Sequence, residues 1–305
     1  MKKIIILLVC IFLMGCTNNE NGKTGQPLET DQESPPTVTS LDKKTFKVIR
    51  QVELENSEIV GHEISYHVDG LNITGFEVRP SSIEGLKYPL LIYNRGGNNG
   101  FAQISDKTVS FLLAKFAEED FVVLASQYRG SHTEGKDEFG GQDLNDINRL
   151  IEMAYDLAYV DTDRIYMLGA SRGSVMTLQL LRNRDDIRAA ATIGTVSNVE
   201  SLYYEREDAM KSVLVDCIGG TPEALIKEYE NRSAVYWADE VEAPLLLLHG
   251  GNDRSVPPLQ AITLKEKLDV FGKTSKLIVY ENDSHILEEN INDAIKEIIE
   301  WFKSH

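Results

Sequence analysis

The chain has 305 residues, 26% of them charged, and a formal net charge of −17. That acidity excludes the basic footprint that nucleic-acid binding needs, and it leaves any membrane association to a lipid rather than to a polybasic patch. With 3 cysteines in all, no disulfide framework is available to a chain of this length.

At the start of the chain, Lys2 and Lys3 precede an apolar run over residues 4–14 that is too short for a good transmembrane span. This is the pattern of an export signal. The following Leu13-Met14-Gly15-Cys16 resembles the lipobox of bacterial lipoproteins, in which the cysteine is diacylated and becomes the new N-terminus after cleavage. Residues 1–15 are therefore expected to be a lipoprotein signal peptide and Cys16 the lipidation site, which places the protein at the cell membrane on its extracytoplasmic side. Residues 16–45 are rich in Asn, Gly, Pro, Thr and charge and read as a flexible tether. Residues 46–305 are left as one folded domain. Cys10 falls in the signal and Cys16 is assigned to lipid, so Cys217 has no partner.

From Ile64, apolar and polar residues alternate around Asp69-Gly70, which predicts an antiparallel hairpin with one buried face. Short apolar runs follow at 90–93, 121–125, 165–168, 189–193, 245–248 and 277–280, each succeeded by polar loops or helical periodicity. Strands alternating with helices predict an α/β fold: a mostly parallel sheet with helices on both faces. Leu144, Ile147, Leu150, Ile151, Ala154, Leu157 and Ala158 form one helical stripe. Ile291, Ala294, Ile295, Ile298, Ile299 and Phe302 form another. Residues 200–240, with Tyr203, Tyr204, Tyr229, Tyr236 and Trp237, interrupt the alternation and are expected to be a small helical excursion over the strand ends, where ligands bind in open α/β sheets.

The run 165–168 leads into Gly169-Ala170-Ser171-Arg172-Gly173 and then into a helical pattern. This is the nucleophile elbow of the α/β-hydrolase fold, G-x-S-x-G, in its strand-turn-helix setting. The turn is so sharp that larger side chains at the glycines would collide with the neighbouring strand and helix, and it lifts Ser171 above the sheet. A serine hydroxyl needs a base, and the chain order in this fold is nucleophile, acid, histidine. His285 lies just past the run 277–280 and is the expected base, while His305 is the last residue. Asp253 lies beyond the run 245–248 and is the expected acid; Asp283 competes, but stands only two residues before His285. His249, at a strand end, reads as a packing or hydrogen-bonding residue. For the oxyanion, the backbone N–H of Arg172 is one expected donor, and Gly96 or Gly97 in the glycine-rich segment 93–100 supplies the other. This machinery needs no cofactor and no metal, and no paired His/Cys ligand spacing stands out.

Several segments resemble, in order, the catalytic domain of the prolyl oligopeptidase family. They are Ser126-Gln127-Tyr128-Arg129-Gly130-Ser131, Gly141-Gln142-Asp143-Leu144-Asn145-Asp146, the approach 160–165 to the elbow, and Ala243-Pro244 through Asp253 to Val256-Pro257-Pro258. The resemblance implies a serine hydrolase cleaving peptide or ester bonds through an acyl-enzyme on Ser171, with Arg129 and the acids of the next helix in structural ion pairs. Two positions depart from the pattern: Arg172 stands where the family's peptidases commonly carry an aromatic residue, and Arg95 where prolyl endopeptidases have an oxyanion-donating tyrosine. The β-propeller that precedes the catalytic domain in those peptidases has no room between tether and hairpin. Substrate recognition then falls to local groups, with Arg172 projecting toward the site and Tyr203, Tyr204, Tyr236 and Trp237 as candidates, although most of these aromatics are expected to pack the excursion. A carboxylesterase is the nearest alternative. From another class comes a surface binding lipoprotein that keeps the fold without activity.

Overall fold

Runs such as Tyr88–Asn94 and Leu245–Gly250 are apolar without alternation, and a strand of that kind is stable only when both of its faces are covered. Both are buried at every position. The computed structural model describes residues 46–131 and 134–305, so the expected signal, Cys16 and the whole of the tether lie outside the described residues. The strands are β1 (Lys47–Val52), β2 (Ile59–Val68), β3 (Leu71–Pro80), β4 (Tyr88–Asn94), β5 (Val122–Ser126), β6 (Val160–Ala170), β7 (Ile187–Ile193), β8 (Leu245–Gly250) and β9 (Ser275–Tyr280). They form one sheet in the order β1-β2-β3-β5-β4-β6-β7-β8-β9. β1, β2, β3 and β5 pair antiparallel in succession. From β5 onward all neighbours are parallel. The β2–β3 hairpin closes through Asp69 and Gly70, both at positive φ, which is the two-residue turn whose twist matches its strands.

The helices are α1 (Asp106–Thr108), which runs through a π turn at Val109–Leu113 into α2 (Ala114–Ala117), α3 (Leu144–Ala154), α4 (Arg172–Asn183), α5 (Val199–Glu205), α6 (Asp208–Ile218), α7 (Pro222–Asn231), α8 (Leu259–Val270) and α9 (Ile291–Ser304). Period-two alternation sends Leu90 and Ile92 into a layer with Ile147, Met176 and Leu264. Leu91 and Tyr93 enter the opposite layer with Phe116, Ile298 and Phe302. Both faces of the sheet are thus covered, as expected. α5, α6 and α7 make up the helical excursion, and it has its own apolar cluster, in which Leu202, Leu214, Cys217 and Tyr229 pack with Val175 and Val256. No helix among the described residues is long and apolar enough to cross a membrane.

One local reading needs correction. The stripe assigned through Ala158 ends sooner: α3 stops at Ala154, the Leu157 amide closes a tight turn on the Ala154 carbonyl, and Ala158 is exposed. That turn points the chain back toward β6, where a further helical turn would carry it past the sheet. β1 carries no apolar alternation, because only Val52 is buried; it is a strand because the free edge of β2 pairs with it.

The register places the carboxyl ends of the parallel strands side by side. Asn94 of β4 is level with Gly169 of β6, Ala170 with Ile193 of β7, and Gly250 of β8 with Tyr280 of β9. The loops leaving these strands therefore meet along one edge. Phe302 of α9 holds the opposite layer together: it is fully buried and stacks on Tyr166 of β6 at 4.9 Å between ring centroids. Phe302→Ala is expected to lower the unfolding free energy by about 3–5 kcal/mol in urea denaturation.

Candidate active site

Ser171 joins β6 to α4 with φ of 53° and ψ of −122°, a strained conformation for a residue with a side chain. Its amide donates to the Ile193 carbonyl at 2.8 Å, which fixes the turn against β7. The glycine two positions later is a packing requirement. A methyl group on Gly173 would overlap the carbonyl oxygens of Asn94 and Arg95, so α4 crosses the end of β4 only where there is no Cβ. Among the described residues no group takes a hydrogen bond from the Ser171 hydroxyl or gives one to it.

His285 follows β9, and its Nδ1 lies 2.6 Å from Oδ2 of Asp253, which follows β8. Gly194, at the end of β7 and at positive φ, lies beneath the ring, where an added Cβ would come within 2.7 Å of Cε1. The Asp253 carboxylate is shut off from solvent. Its Oδ1 accepts the amides of Ser255 and Val256 at 2.8 Å each, and its Oδ2 also faces His249 Nε2 at 3.1 Å. Burial opposes the charge, but the hydrogen bonds from His249, His285 and the Val256 amide outweigh it and hold the carboxyl well below the usual carboxylate range. The competing Asp283 does something else: it accepts the amides of Ser284, Glu289 and Asn290 and so shapes the loop that carries His285. His305 sits at the end of α9 against Trp301, away from this edge.

The segment after β4 approaches the elbow closely, since an added Cβ on Gly96 would be 3.2 Å from Ser171 Cβ. Arg95 is buried and spends its guanidinium on this segment: Nη1 donates to the Gly96 carbonyl at 2.7 Å, Nη2 to the Asn99 carbonyl at 3.1 Å and to Ser131 Oγ at 2.7 Å, and Nε to the Gln127 carbonyl at 3.0 Å. Burial lowers its pKa to about 10. In a trans peptide the carbonyl and the next N–H point in opposite directions. With the Gly96 carbonyl turned to Arg95, the Gly97 N–H faces the other way, and no described acceptor takes it.

Arg172 does not project toward the substrate side. Its side chain is buried, pairs with Asp137 at 2.7 Å and with Asp143, and lies over the Tyr128 ring at 4.7 Å. Its Nη1 also reaches the Gly97 carbonyl at 3.3 Å, and Asp137 accepts the Asn99 amide at 2.7 Å. Of the acids expected to pair with Arg129, Asp146 does so at 2.7 Å, whereas Asp143 serves Arg172. Trp237 is buried and donates from Nε1 to the Glu230 carbonyl, and Tyr203 packs edge-on to Tyr229, so both hold the excursion together. Tyr204 and Tyr236 are half-exposed, with hydroxyls on Glu223 and Glu200.

A carboxyl whose pKa is depressed by folding stabilises the fold above its unfolded value near about 4. That contribution is lost as the pH falls from there toward the folded value. Asp253→Asn removes the charge and sets an amide NH2 among donors, so it is expected to cost about 2 kcal/mol at neutral pH. In urea denaturation the gap to wild type should narrow below about pH 4, where the wild-type carboxyl loses its own advantage.

Residues 107–305 match the model of the prolyl oligopeptidase family. An uncharacterized peptidase of Bacillus subtilis, YtmA, is 29% identical over 80% of this chain and 93% of that protein. A puromycin-hydrolyzing peptidase of Mycobacterium tuberculosis superposes with a TM-score of 0.72 and 21% identity over 82% of this chain, which spans 40% of that one. Acetyl xylan esterase 1 of Thermoanaerobacterium superposes with a TM-score of 0.62 and 15% identity over 85% of this chain and 88% of that one. These superpositions agree with an α/β-hydrolase domain. The matched segment runs from α1 to the end of the chain and includes Ser171, Asp253 and His285, so the chain belongs to the prolyl oligopeptidase family and is a serine hydrolase.

Proposed function

We propose that this hydrolase cleaves peptide and ester bonds through an acyl-enzyme on Ser171. The observation that carries the reading is the bond from His285 Nδ1 to the buried, ionised Asp253, which follows β8, two strands over from the elbow serine at the end of β6. With Nδ1–H engaged, Nε2 is the basic nitrogen. It takes the Ser171 proton as Oγ attacks the substrate carbonyl, and Asp253 stabilises the imidazolium that results. The oxyanion is received by the N–H of Arg172 at the start of α4 and by the N–H of Gly97, the glycine whose amide faces away from Arg95. His285 then passes its proton to the leaving amine or alcohol, and water releases the acyl group by the same steps in reverse order.

Support for a broad substrate range comes from the rim. Phe101 and Ile286, on the loops that carry Gly97 and His285, are 73% and 61% exposed and offer apolar contact to an acyl group without enclosing it. An activated ester has the better leaving group and depends less on protonation by His285, so an open site loses less with esters. Of two proteins that share the fold, one is named a peptidase and the other an esterase. Short-chain p-nitrophenyl esters are expected to turn over readily, with weaker and not strictly post-proline cleavage of small peptides. Ser171→Ala and His285→Ala should each lower kcat by several orders of magnitude, and the double variant little further, because such residues act as a unit. Efficient Ser171-dependent post-proline cleavage with negligible esterase activity would overturn the open-site reading. Failure of Ser171 to take a fluorophosphonate label would favour the non-catalytic binding protein.

We also propose that the protein is lipid-anchored through Cys16, on the strength of the basic, apolar and Leu13-Met14-Gly15-Cys16 segments. Cys16→Ser is expected to abolish palmitate incorporation and to move the protein from the membrane to the soluble fraction; unchanged membrane retention would overturn the anchor.

A further inference from the structure

We propose that His249 is a positioning residue of this site: a second imidazole that fixes the acid Asp253 by donating to the same oxygen that His285 uses. The inference rests on the triad read above. His249 is the fifth residue of β8 and has no solvent exposure. Its Nε2 lies 2.9 Å from the Val256 carbonyl oxygen and 3.1 Å from Asp253 Oδ2. A carbonyl oxygen only accepts, so Nε2 carries the hydrogen and shares it between the two. Nδ1 is buried and meets no partner. A hydrogen there would be a buried donor with no acceptor. Nε2 is therefore the donor nitrogen of this ring. The ring cannot act as a base toward substrate, because its only free nitrogen faces closed protein.

Its effect follows from a count of donors. The Asp253 carboxylate has about four acceptor positions, and four N–H groups reach it: the amides of Ser255 and Val256 on Oδ1, His285 and His249 on Oδ2. Without His249, Oδ2 would be held only by His285, the ring whose charge changes at every turnover. The His249 Nε2 donor is anchored on the Val256 carbonyl as well as on Oδ2, so the carboxylate stays in one plane while His285 gains and loses charge. The bond to the Val256 carbonyl also ties the turn 253–256 back to β8. The other charged group facing Asp253 is Arg206, in the link between α5 and α6, whose Nε is buried without a hydrogen bond.

A pair of substitutions tests this. In His249→Gln the amide nitrogen reaches the place of Nε2 and keeps the donor; in His249→Asn it stops short, near the place of Nδ1. His249→Asn is expected to lower kcat about 10- to 100-fold, the scale of a lost orienting contact, with KM within about twofold of wild type. Its acidic limb in the kcat–pH profile should move upward, since an Asp253 relieved of one donor pulls harder on the His285 proton. His249→Gln should recover most of the rate and return the limb toward wild type. Equal rates and equal pH limbs for the folded Asn and Gln variants would overturn the inference. Fluorophosphonate labelling of wild type and Ser171→Ala runs alongside. Loss of label in Ser171→Ala together with equal His249 variants overturns this inference alone, while label or turnover surviving in Ser171→Ala overturns the triad on which it rests.

Discussion

The closest constraint among the described glycines is the contact between Gly173 and the end of β4. It lets α4 begin directly above the sheet, and so lets Ser171 stand at the tip of β6 with its backbone strained and its hydroxyl unengaged. Strain of this kind costs about 1–3 kcal/mol and survives only where the surroundings leave no alternative. Here they do not: the Ser171 amide is tied to Ile193, Gly169 is paired with Asn94, and α4 is buried along most of its length. The same pairing of β4 with β6 delivers the glycine-rich segment beside the serine. Ser171 and the segment proposed to receive the oxyanion are thus placed by one register.

Charge is distributed against the composition. The chain is acidic overall, yet Arg95, Arg129 and Arg172 lie buried beneath the edge that carries Ser171. Arg172 is enclosed by Asp137 and Asp143, and Arg129 by Asp146 and Asp69. Buried pairs of this sort add little net stability, because desolvation consumes most of the attraction; what they supply is a fixed geometry, since breaking one leaves an unpaired charge in a dry site. Asp137 shows the use made of it, joining Arg172 to the Asn99 amide and so fastening helix α4 to the segment that follows β4.

How much of this was legible in the sequence depends on whether a residue's role is local. The elbow, Asp253 and His285 could be read because each follows a strand whose apolar run is itself readable, and the order of those strands carries the order of the roles. The β2–β3 hairpin was readable from the alternation that flanks Asp69-Gly70. By contrast, β1 exists through its neighbour's edge and has almost no buried side chain to announce it. The direction of Arg172 could not be read either, since its partners lie 29 and 35 positions upstream and only the folded chain brings them together. Asp143 and Asp146 belong to one segment, and nothing in it says that they turn to different arginines. His249 was distinguishable from the base by position, but the oxygen it shares with His285 appears only when β8 and β9 lie side by side.

Arg95 joins these themes. Its guanidinium is a charged donor to the carbonyl of Gly96, and a charged donor on one side of a peptide polarises the whole unit and strengthens the N–H on the other side as a donor. That N–H belongs to Gly97. A tyrosine at this position would offer its own hydroxyl to an oxyanion, whereas an arginine this deeply committed to carbonyls has no free hydrogen to offer. It acts one bond removed, aligning and polarising a backbone amide. A backbone donor cannot swing away between turnovers, because the peptide is held at Gly96 by Arg95 and at Gly97 by Arg172. The departure from the family pattern at Arg95 and the departure at Arg172 are therefore one feature: two buried cations gripping consecutive carbonyls, which leaves the intervening amide no other orientation.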